Sequence, residues 1–157
     1  MVRYRISGIP ESLGQQARAT LRSPQYGHPA HVETARGYGP CRQCLRTFRE
    51  GEEQRLLFTY QPFNAPALPA PGPVFIHRET CDRYDELGFP EDLRSIPLAV
   101  EGYSPAGTLV ELRLVGDQQV EEVLQEELAD PRVEYLHLRN AEAGCFIARV
   151  EPVFACE

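Results

Sequence analysis

Residues 108–115 read TLVELRLV, and together with LAVEGY at 98–103, across a Ser104-Pro105-Ala106-Gly107 turn, they carry the cleanest period-two pattern in the chain. Successive strand residues point to opposite faces, so Val110, Leu112 and Leu114 share one face and Glu111 and Arg113 the other. The period then changes. In DQQVEEVLQEELAD (117–130), Val120, Val123, Leu124 and Leu128 recur along one helical face, with Asp117 as the N-cap and Asp130-Pro131 as the stop. The acid pairs Glu121-Glu122 and Glu126-Glu127 fall on the solvated face of that helix. A hairpin followed by an amphipathic helix must bury the helix stripe against the sheet, which selects an α+β fold.

The remaining segments extend the sheet. VRYRISGI (2–9) alternates as a short strand closed by Gly8 and Pro10, and residues 11–22 offer a weaker helix. Residues 23–40, rich in Gly, Pro and His, read as ordered loop with room for one short strand. QRLLFTY (54–60) and PVFIHR (73–78) are aromatic and branched, as strands require, and a proline-rich connector (61–72) joins them by a stiff, extended path. VEYLHLRN (133–140) and CFIARVEPV (145–153) form a terminal hairpin. The expected architecture is a mostly antiparallel sheet with one main helix (about 117–130) packed on it, in a single domain over 1–157.

Composition narrows the functional classes. There is no apolar run near the roughly 18 residues of a membrane span, and no signal peptide can be drawn behind Met1, so no membrane association is expected and a cytoplasmic location is. A net charge of -7 argues against general nucleic-acid binding, which needs clustered cations on phosphates. All 16 basic residues are Arg, and the missing Lys removes Schiff-base chemistry and a Walker-type phosphate site. Five cysteines, an odd number in a reducing compartment, point to thiols or metal ligands rather than a disulfide framework.

Cys41-Arg42-Gln43-Cys44 is a C-x-x-C, and His77-Arg78-Glu79-Thr80-Cys81 an H-x-x-x-C. A tight turn can aim both sulfurs of the first at one ion, and a strand end with its following turn can do the same for His77 and Cys81. Three thiols and an imidazole suit tetrahedral zinc, and four protein ligands would make the site structural. Redox chemistry at Cys41 and Cys44 is the alternative, although no helix opens after the motif. His28 and His31 form an H-x-x-H that would join or replace members of the set. In the terminal hairpin, Cys145 with His137 offers a nucleophile and base, flanked by Asn140. A third reading is a protein-interaction module that uses the proline-rich connector.

Several blocks carry a family likeness: Tyr4-Arg5-Ile6-Ser7-Gly8, Gly39-Pro40-Cys41-Arg42, Gly51-Glu52 before Leu56-Leu57, Gly72-Pro73-Val74-Phe75-Ile76-His77, Asp130-Pro131-Arg132-Val133 through Asn140, and Gly144-Cys145. In this order they resemble the bacterial family catalogued as domain of unknown function 1203. The resemblance implies a small stand-alone bacterial protein and no substrate. It also implies relatives that match at Cys41 and Arg42 without a counterpart of Cys44, and others without the His77 and Cys81 pair. Cys41, Arg42, Asn140 and Cys145 are then the better candidates for a role shared across the family, and Cys145, His137, Asn140 and Arg42 the candidates for catalysis.

Overall fold

A computed structural model describes residues 1–37, 39–63, 71–116 and 119–154. Its elements run β1 (Arg3–Ser7), α1 (Glu11–Thr20), β2 (His31–Thr34), β3 (Gln54–Tyr60), β4 (Gly72–His77), β5 (Asp85–Leu87), a 3-10 turn (Glu91–Ser95), β6 (Leu98–Tyr103), β7 (Leu109–Leu114), α2 (Val120–Leu128), β8 (Tyr135–Asn140) and β9 (Phe146–Val153). The class is α+β, with every strand pairing antiparallel. The strands form two sheets rather than the single one expected: a six-stranded sheet in the order β5-β1-β9-β8-β6-β7 and a three-stranded sheet in the order β2-β3-β4. No helix among the described residues is long and apolar enough to cross a membrane.

Helix α2 buries Val120, Val123, Leu124 and Leu128, the stripe its spacing predicts, and packs over β6. With the 3-10 turn it closes a core whose sheet side is Ile6, Val100, Leu136, Leu138, Ala148 and Val150. The expected cap Asp117 lies outside the described residues, and the helix is shorter than 117–130. Glu127 departs from the solvated-face reading, because its position on the helix turns it inward to full burial.

The expectation of one main helix also needs correction, since α1 is just as regular. It buries only Gly14 and Ala17, so it lacks the wide apolar stripe that marks a helix in sequence. Its small face exists to admit a close neighbour. A Cβ on Gly14 would meet the Gln43 side chain at 2.1 Å, inside the C-x-x-C turn.

The second sheet covers part of the other face of the six-stranded sheet. Its core joins Leu56, Phe58, Val74 and Ile76 to Phe48, Cys41, Cys44, Cys81 and Phe146 of β9. Farther along the same face, His137 stands at full burial among the rings of Phe63, Tyr103, Tyr135 and Phe146, with centroids 5.0 to 5.3 Å away.

Candidate metal centre

The C-x-x-C lies on a tight loop between two short bridging segments, paired at Pro40 and Thr47. The Cys41 amide donates to the Arg46 carbonyl at 2.8 Å and the Leu45 amide to the Cys41 carbonyl at 2.8 Å. This closure requires Leu45 at φ 63, a left-handed conformation costing a bulky residue on the order of 1 kcal/mol or more. Burial of the Leu45 side chain in the main core holds it there. Both sulfurs therefore point to the same side. The other half comes from the end of β4, where His77 closes the strand and Cys81 returns after a short turn.

All four ligand atoms lie within 4.8 Å of one another, and all four residues are buried. The Cys41 and Cys81 sulfurs are 3.8 Å apart, and the Cys44 sulfur is 3.5 Å from His77 Nδ1. A disulfide needs about 2.05 Å, so the pair is unbonded. A tetrahedron with metal–sulfur bonds of about 2.3 Å and a metal–nitrogen bond of about 2.05 Å has edges of about 3.8 Å and about 3.55 Å. Both observed separations fall on those edges.

Surrounding groups orient the set. The His77 amide donates to the Cys41 sulfur at 3.4 Å, and Arg18 of α1 donates from Nη2 to the Cys81 sulfur at 3.3 Å and from Nε to the His77 carbonyl at 2.9 Å. Gln43 Nε2 donates to the Cys81 carbonyl at 2.7 Å. His77 Nε2 lies 2.9 Å from Glu53 Oε2, so the carboxylate fixes the tautomer that leaves Nδ1 facing the sulfurs. Phe48 packs against the imidazole at 4.7 Å. Glu53 and His77 border a polar cleft of about 410 Å³ whose lining includes none of the three cysteines.

These groups polarise one another. Hydrogen bonds from Cys41 and then Cys81 hold the Cys44 thiol well below its ordinary range, against the effect of burial. The same contacts with Cys41 and Cys44, reinforced by burial, push the Cys81 thiol far up. Burial alone would lower His77, but the bonds to Cys41 and Cys44 outweigh it and raise the imidazole to about 10.

The other sequence candidates lie elsewhere. His28 accepts from the Thr59 amide at 3.2 Å and His31 sits 3.5 Å from Glu33, because the β2–β3 register sets His31 against Leu57 rather than near His77. They do not join the set. Arg42 is a buried strut, donating to the Phe146 carbonyl at 2.9 Å and the Pro40 carbonyl at 2.7 Å, with burial lowering its guanidinium to about 10. Asn140 caps its turn by accepting from the amides of Glu142 and Ala143, both at 2.9 Å. Cys145 Sγ lies against the Ala143 carbonyl, whereas both His137 nitrogens are buried without a hydrogen-bond partner. Among the described residues no side-chain hydrogen bond links Cys145 to His137, since the strand turns the imidazole into its aromatic box.

Glu53, Arg18 and Phe48 escaped sequence reasoning. Half-buried Glu53 meets buried His77 across the sheet, 24 residues apart in the chain, and Arg18 arrives from a helix 59 residues away. Nothing local marks either.

Gly8 supplies a further constraint. A Cβ there would meet the Gln43 carbonyl oxygen at 2.2 Å and the Arg42 carbonyl oxygen at 2.6 Å, both backbone. Gly8→Ala should therefore force the C-x-x-C loop away from the end of β1, at a cost of about 1–3 kcal/mol. Denaturant unfolding reads the loss, and an unchanged midpoint would show that the loop moves freely.

A sequence model of the family described as "Protein of unknown function (DUF1203)" matches residues 38–152, a stretch that contains all four clustered residues but not α1. No curated protein and no solved structure matches the chain.

Proposed function

This chain belongs to the DUF1203 family, whose name assigns no activity, and from its own residues we propose that Cys41, Cys44, His77 and Cys81 hold one zinc ion in a closed, structural centre. The observation that carries the reading is the match of the 3.8 Å and 3.5 Å separations to the edges of a zinc tetrahedron. Borderline-soft Zn²⁺ suits three thiolates and an imidazole. Three thiolates around a dication leave one net negative charge, which the guanidiniums of Arg18 on Cys81 and Arg46 at Cys44 offset. With four protein ligands no coordination position is left for water, so the ion ties the C-x-x-C loop, the end of β4 and α1 together and performs no hydrolysis.

Elemental analysis of protein purified without chelator, with thiols counted in the same sample, tests this. The expected result is about one equivalent of zinc, with Glu53→Gln lowering zinc affinity about 10- to 100-fold through its loss of the His77 contact. Metal-free protein with every thiol free and reactive would overturn it.

A second reading has one observation behind it. Cys44, His77 and Glu53 are linked at 3.5 Å and 2.9 Å, the spacing of a nucleophile, a base and an orienting carboxylate. It requires one thiol of the isolated protein to alkylate much faster than the others. Chelator-independent reactivity at Cys44 would favour it, whereas reactivity appearing only after zinc removal would favour the structural centre.

A further inference from the structure

The six-stranded sheet ends on one side in β5, three residues long and mostly charged, and on the other in β7, a full-length strand with no partner beyond it among the described residues. Long open edges template pairing with further strands, and proteins ordinarily blunt them with charge or shortness. β5 fits that pattern. β7 does not, because Leu109, Leu112 and Leu114 are 47%, 51% and 67% exposed along it. Leu112 and Leu114 lie opposite Glu101 and Ala99, on the sheet face away from α2.

The backbone of that edge is available. The Val115 amide donates to the Leu98 carbonyl at 3.0 Å, which places Val115 and Arg113 among the residues bonded inward to β6. In an antiparallel ladder the alternate residues face the opposite way, so the amides and carbonyls of Leu112 and Leu114 point outward.

The strand is also complementary to itself. Laid antiparallel on a copy about Leu112, β7 sets Leu112 against Leu112 and Glu111 against Arg113, while Val110, at the bulge beside Gly102 and Tyr103, stays packed against the core under α2. Centring on Glu111 or Arg113 instead puts like charges opposite, which is unfavourable. The Leu112-centred register satisfies charge, apolar contact and outward hydrogen bonding together. Glu111 and Arg113 lie 2.8 Å apart within one chain, so pairing with a copy extends an existing ion pair into a four-charge row.

We propose that β7 pairs with β7 of a second copy of this chain, antiparallel about Leu112, joining the two six-stranded sheets into one continuous sheet with a two-fold axis at Leu112. The exposed leucines become a shared apolar strip on one face, and the Glu111–Arg113 pairs flank it on the other.

Sedimentation velocity across a concentration series on the full chain tests the association, and charge variants test the register. The wild type should be a dimer, and Leu112→Lys, which opposes two cations on the axis, a monomer with unchanged far-UV circular dichroism. Symmetry repeats each contact, so Glu111→Arg or Arg113→Glu alone should weaken association roughly tenfold or more, and the double swap should restore it. In a Cys145→Ser, Cys156→Ser background, Leu112→Cys should cross-link to itself on mild oxidation while Leu114→Cys does not. A wild type that stays monomeric at every concentration, a dimer indifferent to Leu112→Lys, or self-linking of Leu114→Cys in place of Leu112→Cys would each overturn the proposal.

Discussion

With the proposed zinc centre in place, Cys81→Ser should lose the ion and lower stability by about 3–5 kcal/mol, which at this chain length corresponds to a fall in Tm of roughly 6–20 °C. Two effects add. Structural zinc contributes folding free energy directly, with apparent binding energies of roughly 10–16 kcal/mol in small zinc-folded peptides, against a typical domain stability of 5–15 kcal/mol. The segments that the ion would tie, the 41–47 loop and the 78–84 return, contain no regular secondary structure of their own to hold them. Serine in place of Cys81 also deprives Arg18 Nη2 of its sulfur acceptor. Melting curves recorded with and without a strong chelator give the wild-type comparison. The wild type should fall toward the variant on chelation, and the variant should not respond. Identical wild-type curves in both conditions would mean that no metal supports the fold.

Glu127→Gln should stabilise the protein in mild alkali and leave it nearly unchanged in acid. Glu127 is fully buried, and neither carboxylate oxygen has a hydrogen-bond partner. Burial first, then the negative charge of Glu111 and, more weakly, that of Glu101, raise its pKa to about 8 from 4.5, with Arg113 pulling the other way. A carboxyl whose folded pKa is raised binds its proton more tightly when folded. Its contribution is intact below about 4.5, and stability drains away at up to roughly 1.4 kcal/mol per pH unit until the folded group ionises near 8. Glutamine keeps the shape and removes the proton, so the gap between variant and wild type should open across that window to a few kcal/mol. A gap independent of pH would show that the wild-type carboxylate finds water or a cation when folded.

His137 limits the acid side in the same manner. Burial, followed by the nearby Arg139 and Arg149 guanidiniums, lowers its pKa to about 3. Its folded pKa lies below the unfolded one, so stability is complete above about 6.5 and falls as pH drops toward 3. Between about 4.5 and 6.5 the two slopes oppose each other, and the contributions of Glu127 and His137 sum to a broad plateau there.

What could be read from residue order depended on how local each signal was. The β6–β7 and β8–β9 hairpins and the buried stripe of α2 are set by side-chain period and turn residues within a few positions, and they appear where the pattern places them, except that a bulge beside Gly102 and Tyr103 turns Val110 to the α2 side, away from the face of Leu112 and Leu114. Helix α1 was nearly invisible because its buried face is Gly14 and Ala17, chosen for closeness to Gln43 rather than for hydrophobicity. The division into two sheets was invisible too, since period two specifies a face and not a partner strand.

The same division holds at the candidate metal site. C-x-x-C and H-x-x-x-C spacing nominated Cys41, Cys44, His77 and Cys81, because each pair needs only one turn of backbone to aim two donors alike. Whether the pairs meet depends on the β3–β4 register, on the contact of Gly8 with the 42–43 backbone and on Arg18 bridging from α1. The same is true of Glu53 behind His77 and of His137 turned from Cys145 into a box of rings. By itself, then, the sequence determined the donor set and the local elements, which are properties of neighbours along the chain. Only the tertiary structure decided which donors converge and which polar groups lose their water, because convergence and burial arise between segments that no short-range pattern connects.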